Sequence, residues 1–272
     1  MSASLVSRLD ASVLRAMAPA VPVSKRARQT AIIAALGPAL PVVLPEFEIV
    51  TPRRIEHFLA QAAHESAGFS TTEELGGASY FVRYDGRADL GNTKPGDGAR
   101  YHGRGIFQLT GRANYRRIGG LLGLDLEGNP ELASDPVVSL RIACLYWRDR
   151  KIGPMADDDD LLRVTRAING GLNGLDDRRR YLGIAKREIA GLAAAAIVPS
   201  DARHYPVLRR GSKGDAVETL QVRLRLHGYP LTLDGDFGAA TELAVKAFQA
   251  TAGLVADGIV GPKSWSALIP QS

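Results

Sequence analysis

The chain has 272 residues, of which 45% are apolar and 23% charged, so it can form a sizeable core and is not expected to be disordered. Its 34 Lys and Arg against 29 Asp and Glu give a formal net charge of +5, a mild field that favours a polyanionic partner such as a cell envelope. No basic run with interleaved aromatic residues is present, which excludes nucleic acid as an expected partner.

The N-terminal region does not have the pattern of an export signal, because Arg8, Asp10 and Arg15 interrupt any apolar segment. The longest apolar stretch, residues 31–44, is interrupted by two prolines, so we expect no segment that crosses a bilayer. The single cysteine, Cys144, cannot form an internal disulfide, which fits folding in a reducing compartment. We therefore expect synthesis in the cytoplasm, no stable membrane insertion and a monomer.

Apolar residues recur at helical spacing over the first two hundred residues, which predicts a mainly α domain over residues 1–196 that is large enough to be catalytic. The clearest helix covers 51–66, where Thr51 can cap the helix and Pro52 suits its first position. Between 68 and 108 the periodicity fails and glycines are frequent, which predicts a long functional loop or a short hairpin. Further helices are predicted at roughly 4–17, 26–36, 111–123, 135–150, 160–168 and 176–196.

A change of composition at 197–206 predicts a linker, followed by a small domain over 207–272. Asp215 and Glu218 are spaced as a capping box that would open the first helix of this domain. Two similar stretches, "LDGDFG" at 233–238 and "ADGIVGP" at 256–262, are predicted to be structural turns. A calcium loop is the alternative, but the ligand spacing of an EF-hand is absent.

The C-terminal pattern "LRRGSKGDAVETLQVRLRLHGYPLTLDGDFGAATELAVKAFQATAGLVADGIVGPKSW" resembles the peptidoglycan-binding-domain-1 family over almost all of residues 207–268. The combination of its three parts is specific, whereas any one part alone would be a weak signal. The resemblance implies a small three-helix module that attaches to bacterial peptidoglycan without catalysing a reaction.

Three acids in the first domain are candidates for general acid–base chemistry. Glu65 ends an apolar helical stripe, where loss of hydration would raise its pKa and suit a proton donor. Glu73 and Glu74 follow in a polar loop, where a solvated carboxylate stays ionised and can accept a proton from water. Two carboxyls in unlike surroundings are typical of enzymes that hydrolyse glycosidic bonds. Composition alone, however, favours the interpretation that these acids have no catalytic role: Glu65 would simply end a helix, and the other two would lie on the surface.

Two further motifs carry short polar side chains between glycines: "YHGRGIFQLTGRANY" at 101–115 and "TRAINGGLNGLDDRRRYL" at 165–182. Together with "AHES" and the acid pair, they closely resemble glycoside hydrolase family 19 over about residues 45–185. This family contains chitinases and, in shorter bacterial and phage versions, endolysins that cut the glycan of peptidoglycan. The implied fold is lysozyme-like and mainly helical, with a cleft between two lobes.

The resemblance also implies roles for individual residues of this chain. The family's general acid matches Glu65, and its general base matches Glu74, with Glu73 as the fallback. The water-positioning hydroxyl matches Thr110, and Arg178 matches an arginine that supports the carboxylates. Gln108, Asn114 and Asn169 match sugar-binding amides, and Tyr115 lies beside them; these four and Arg178 form the predicted substrate-binding set. No metal and no cofactor are implied.

The segment between the acids is shorter than in plant chitinases, which favours the wall-degrading branch. With Glu65 as the acid and Glu74 activating a water on the opposite face, we expect an inverting reaction on peptidoglycan. Three alternatives stay open: a chitinase, a lytic transglycosylase that uses one acid and no water, and a catalytically inactive wall-binding protein. A phage or prophage lysis protein would accumulate in the host cytoplasm and reach the wall once the inner membrane is permeabilised; a secreted toxin is the other possibility. The sequence does not indicate which glycosidic bond is cut.

Overall fold

A computed structural model describes residues 5–194 and 205–269. These residues form two compact units, one on each side of the gap. The linker predicted at 197–206 falls outside the described residues except for Tyr205 and Pro206, which belong to the second unit. In that unit Tyr205 stacks on Trp265 at a centroid distance of 4.6 Å, and Trp265 Nε1 donates to the carbonyl oxygen of Pro206 at 2.9 Å.

The first unit is built from helices, as the sequence predicts. Its α-helices are α1 (Ala11–Met17), α2 (Val23–Val43), α3 (Pro52–Glu65), α4 (Ala78–Phe81), α5 (Asp97–Arg100), α6 (Arg112–Leu122), α7 (Pro136–Asp149), α8 (Ile152–Asp157), α9 (Leu161–Asn169) and α10 (Leu175–Ala194). Short 3₁₀ helices cover Leu5–Arg8, Leu44–Phe47, Val82–Tyr84, Ala88–Leu90 and Pro130–Ser134. Among the described residues, β-structure is limited to isolated bridges.

Helix α3 is the centre of this unit and packs most extensively against α10. Its residues from Ile55 to Ala63 are all buried, and Phe58 meets Trp147 of α7 edge to face at 5.6 Å. Thr51 caps the helix as predicted, since its side chain accepts a hydrogen bond from the backbone N–H of Arg54 at 3.2 Å. The end of α3, where Glu65 lies, is therefore fixed by the core beneath it.

Helix α2 corrects the prediction of a short helix at 26–36 and the expectation that no segment could cross a bilayer. Pro38 and Pro41 lie inside the helix, which runs on to Val43. The stretch Val23–Phe47 is consequently long and apolar enough to span a membrane by length and composition alone. About 61% of its most apolar window is buried within the unit, where α2 packs against α1 and α7 as a core helix does.

The segment between α3 and α6 is not a plain loop. Backbone bridges join Glu73 to Arg104 and Arg104 to Leu109, both antiparallel. Glu74 adds a further bond, with its N–H donating to the carbonyl oxygen of Gly103 at 2.8 Å. These pairings bring the acid pair beside residues 101–110, so the two sequence motifs meet in space.

The second unit consists of α11 (Asp215–Leu226), α12 (Ala239–Thr251) and α13 (Pro262–Leu268), packed around Phe237, Phe248 and Trp265. The predicted capping box is wrong, because Gly214 occupies the N-cap and no side chain caps α11. The two predicted turns are confirmed as structural, since Asp234 Oδ1 accepts from the N–H of residue 236 at 2.9 Å and Asp257 Oδ1 from the N–H of residue 259 at 2.8 Å.

Candidate active site

Glu65 is the last residue of α3 and is held from α10. Arg178 Nη2 donates to Glu65 Oε1 at 2.6 Å, while Arg178 Nη1 donates to Gln61 Oε1 and Nε to the carbonyl oxygen of Asn173 at 3.2 Å. The arginine side chain is 2% exposed and that of Glu65 22%. The nearest partner of Glu65 is thus a buried guanidinium, which the apolar stripe of α3 did not predict.

Arg178 engages only one oxygen of this carboxylate. Within the described residues, Glu65 Oε2 makes no hydrogen bond and lies on the partly exposed side chain. The supporting role implied for Arg178 therefore matches its position, whereas direct contact of this buried arginine with a sugar does not. One oxygen of Glu65 is fixed and the other is available to a ligand.

Glu74 is held by three donors from its own loop. Its Oε1 accepts from Arg83 Nη2 at 3.0 Å and from the Tyr84 hydroxyl at 2.9 Å, and its Oε2 accepts from the N–H of Gly103 at 3.0 Å. Burial raises the pKa of Tyr84, the bond from Arg83 lowers it, and the negative Glu74 adds to the rise, so this phenol stays protonated as a donor. These three donors fix the orientation of the Glu74 carboxyl group.

Glu73, the fallback for the base, points to different partners. Its Oε1 lies 2.9 Å from His102 Nε2 and 3.5 Å from Arg104 Nε, and its side chain is 49% exposed. The ring of Phe81 stacks on His102 at 4.3 Å, so the contact between Glu73 and His102 is part of a packed cluster. Glu73 therefore fixes the bridge to Arg104, while Glu74 faces the donors described above.

Gln108, Thr110 and Asn114 line one cavity of about 250 Å³, together with Phe107 and Tyr146. Asn114 Nδ2 donates to the carbonyl oxygen of Thr110 at 2.8 Å. The Thr110 hydroxyl donates to the carbonyl oxygen of Gln108 at 3.0 Å, so the lone pairs of this hydroxyl can still accept a hydrogen bond. Gln108 has a left-handed backbone with φ of 51°, a conformation that costs a non-glycine residue roughly 1–2 kcal/mol. Such strain is concentrated at functional sites.

Neither carboxylate lines this cavity, but each lies near one residue that does. Burial raises the pKa of the Tyr146 phenol in the cavity wall, Arg150 opposes the rise, and the charge of Glu65 adds to it, so Glu65 lies within electrostatic reach. On the other side, a Cβ on Gly103 would stand 2.6 Å from Gln108 Oε1 and 3.1 Å from Glu74 Oε2. A side chain at this position would force the Gln108 amide, and to a smaller extent the Glu74 carboxyl group, to shift.

Asn169 ends α9 and organises the connection to α10. Its Oδ1 accepts from the N–H of Gly171 at 2.8 Å, and its Nδ2 donates to the carbonyl oxygen of Asn173 at 3.1 Å. Asn173 is also the backbone partner of Arg178. The predicted sugar-binding role of Asn169 remains a prediction; in this structure the side chain fixes the turn that carries Arg178.

Tyr115 is a correction to the predicted substrate-binding set. Its side chain is completely buried, and its hydroxyl donates to the carbonyl oxygen of His102 at 2.8 Å and accepts from Arg104 Nη1 at 3.2 Å. Burial raises its pKa to about 12 against the opposing effect of Arg104. Tyr115 cannot reach a sugar from this position and instead supports the backbone that presents Gly103.

Sequence reasoning missed Arg83, Tyr84 and Tyr146. Arg83 and Tyr84 lie nine and ten residues after Glu74, in a segment where apolar residues show no regular spacing. Tyr146 lies in a helix whose apolar pattern indicates a core helix rather than part of a site. Within the part of the chain that the structure describes, no group of three or more His, Cys, Asp and Glu could hold a metal ion.

These features define a helical hydrolase site with two carboxylates held by unlike partners. The profile described as chitinase class I, that of glycoside hydrolase family 19, matches residues 46–158, and the peptidoglycan binding domain profile matches 213–268. The chain is 35% identical over 149 residues to a glycosyl hydrolase family 19 domain-containing protein of Haemophilus influenzae, covering 44% of this chain and 72% of that protein. The chain belongs to glycoside hydrolase family 19 and carries a peptidoglycan binding domain.

Two other similarities agree with this assignment. Acidic endochitinase Q of Nicotiana tabacum is 34% identical over 164 residues, covering 48% of this chain and 61% of the endochitinase. A crystal structure of a chitinase C mutant superimposes with a TM-score of 0.50 and 21% identity over 69% of this chain and 94% of that one, which concerns the fold alone. The predicted lysozyme-like, mainly α fold class is confirmed, and the chain is a family 19 glycosidase.

Proposed function

We propose that this protein is a modular endolysin that hydrolyses the β-1,4 glycosidic bonds of bacterial peptidoglycan and attaches to the wall through its C-terminal unit. The observation that carries the proposal is the presence, on one chain, of a family 19 catalytic unit and a peptidoglycan binding domain. A domain that holds the enzyme on peptidoglycan raises the local concentration of glycan for the catalytic unit.

In the proposed reaction Glu65 is the general acid. Its free Oε2 would protonate the glycosidic oxygen, while Arg178 fixes Oε1 and the orientation of the carboxyl group. The glycosidic oxygen would approach Oε2 from the partly exposed side of Glu65, since Arg178 occupies the other oxygen. Substitution of Arg178 should therefore disturb the orientation of the proposed acid directly.

Glu74 is the proposed general base. Three donors orient its carboxyl group, and Oε2, with a single bond from Gly103, has an acceptor site left for a proton of water. Thr110, whose hydroxyl donates to Gln108, would accept a hydrogen bond from the same water and direct it at the anomeric carbon. Attack on the face opposite the leaving group inverts the anomeric centre.

Mass spectrometry of fragments released from purified sacculi tests this proposal. We expect hydrolytic products without an anhydro ring and a loss of activity of about 10²-fold or more for both Glu65→Gln and Glu74→Gln. Glu73→Gln is the matched control and should retain most activity. Anhydro products with an active Glu74→Gln would instead identify a lytic transglycosylase, and full lysis by Glu65→Gln would indicate a non-catalytic wall-binding protein.

A chitinase is the second candidate, and the similarity to plant endochitinases favours it. Parallel assays on chitin oligosaccharides and on sacculi separate the two substrates. Faster turnover of chitin at equal concentration of glycosidic bonds would refute the endolysin assignment while leaving the glycosidase chemistry intact. The sugar at the new reducing end would also identify the bond that is cut.

We further propose that the protein is made in the host cytoplasm and acts on the wall after the inner membrane is permeabilised. The buried, unpaired Cys144 supports folding in a reducing compartment. Cytoplasmic expression should leave cells intact until a membrane-permeabilising agent is added, and rapid lysis should follow. Lysis without that agent would contradict this route.

A further inference from the structure

The C-terminal unit contains two versions of one structural device. In the first, buried Gln221 donates from Nε2 to Asp234 Oδ1 at 2.7 Å and to Thr241 Oγ1 at 3.2 Å. In the second, buried Gln249 donates to Asp257 Oδ1 at 3.0 Å and to Ser264 Oγ at 3.2 Å. A glutamine from one helix thus fixes the turn that starts the next helix in both versions.

The two versions differ in the chain between the glutamine and the aspartate. Thirteen residue steps separate Gln221 from Asp234, whereas eight separate Gln249 from Asp257. In the longer connection Tyr229 and Leu231 pack partly buried on the core. The shorter connection has no counterpart of this cover, and an open groove of about 610 Å³ lies beside it.

The walls of this groove combine apolar and charged groups. Leu254, Val255 and Ile259 line it, and the last two are 80% and 41% exposed. Lys263 adds a cation for which the described residues offer no carboxylate at ion-pair distance. Asp257 adds an anion whose pKa is lowered first by the N–H of residue 259 and then by Gln249; both bonds fall on Oδ1, so Oδ2 stays open to a ligand.

We propose that this groove binds the stem peptide of peptidoglycan rather than its glycan strand. The inference rests on the proposed wall-directed function and deepens it by naming the recognised part of the wall. Stem peptides carry alanyl methyl groups, free carboxylates and the ammonium group of a diamino acid. The exposed aliphatic side chains match the methyl groups, Lys263 matches a carboxylate, and Asp257 matches the ammonium group.

The composition of the groove is the reason for preferring peptide over sugar. None of the described residues that line it is aromatic, although aromatic rings are the usual apolar platform for the faces of a sugar ring. A neutral glycan strand would also leave the charges of Lys263 and Asp257 unpaired. A short peptide with both charges and small apolar groups satisfies all parts of the groove.

Sedimentation with purified sacculi tests the inference, using the full chain with Glu65→Gln so that the wall is not degraded. Lys263→Glu reverses the charge that faces the ligand carboxylate, and Val255→Asp replaces an apolar contact to a methyl group by a charge. Each should weaken binding on the order of tenfold. Both side chains are exposed, and an acid near the start of α13 suits the helix dipole, so folding is preserved. Lys213→Ala is the matched control, since Lys213 is 72% exposed and pairs with Asp236 in the other turn.

Competition then identifies the ligand. A free stem tetrapeptide should release the protein from sacculi, and glycan strands stripped of their peptides should not. Release by stripped glycan but not by tetrapeptide, or undiminished binding of Lys263→Glu and Val255→Asp, would overturn the groove assignment while leaving the wall-directed function standing. Failure of the Glu65→Gln chain itself to sediment with sacculi would instead contradict the proposed function.

Discussion

Replacement of Arg178 by methionine should destabilise the catalytic unit strongly, although the residue lies beside the site and not in the apolar core. The substitution removes three hydrogen bonds and leaves Gln61, which is 0% exposed, without a partner for its oxygen. The amide nitrogen of Gln61 already has no partner. A buried polar group without a partner costs about 1–3 kcal/mol.

Glu65 adds a smaller part of the cost. Removing one member of a fully buried ion pair costs about 3–5 kcal/mol, but Glu65 is 22% exposed and can be rehydrated. We therefore expect the free energy of unfolding to fall by about 2–4 kcal/mol in total. For a unit of this size each kcal/mol corresponds to about 2–4 °C, so the melting temperature should fall by roughly 4–16 °C.

Urea unfolding, monitored by hydrogen exchange in peptides from α10, measures this loss of stability in the catalytic unit alone. Arg180→Met is the matched control on the same helix, because Arg180 is 49% exposed and its pair with Asp177 should contribute less than about 1 kcal/mol. The double variant Gln61→Met with Arg178→Met should lose less stability than the sum of the single variants. Equal stability of Arg178→Met and Arg180→Met would refute the reasoning.

Tyr84→Phe should lower kcat on the order of tenfold with little change in melting temperature, because Glu74 loses one orienting donor; an unchanged kcat would contradict the role. Gly103→Ala should reduce kcat further, since its methyl group would stand 3.1 Å from Glu74 Oε2. Gly120→Ala is the control: a Cβ at this position of α6 meets nothing within 4 Å, so the variant should keep full activity and gain about 0.5–1 kcal/mol of stability. Burial lowers the pKa of His57 below 6.5, so the unfolded chain binds more protons and stability should fall as pH drops below 6.5. His57→Asn, compared by urea unfolding at pH 7.5 and 5.5, should lose that dependence.

Much of the helical framework could be predicted because periodic burial and end signals are local. The helix at 51–66 was found from Thr51, Pro52 and apolar spacing, and the structure places it at Pro52–Glu65. The extent of α2 could not be found in the same way, since packing against α1 and α7 outweighs the two prolines inside it. Likewise Asp215 and Glu218 have capping-box spacing, but the left-handed Gly214 fixes the start of α11.

The site was predictable in its residue types and less so in its contacts. Gln108, Thr110 and Asn114 meet in one cavity because they lie within seven consecutive residues, on one turn and the start of the following helix. The surroundings of Glu65 depend on Arg178, more than a hundred positions away, and helical periodicity on α3 cannot reveal a partner on α10. Tyr115 shows the converse error: a residue inside a polar motif can be entirely structural.

The two acids are held by different parts of the fold, and this has a consequence for how the enzyme can vary. Glu65 depends on the packing of α3 against α10, so substitutions that loosen this interface should disturb stability and the proton donor together. Glu74 depends on Arg83, Tyr84 and the backbone of Gly103, all within one irregular segment whose change leaves the helical core intact. The proposed base and the segment that holds it can therefore vary at small cost in stability, while the proposed acid cannot. Family members that differ in substrate should differ mainly in the segment between α3 and α6.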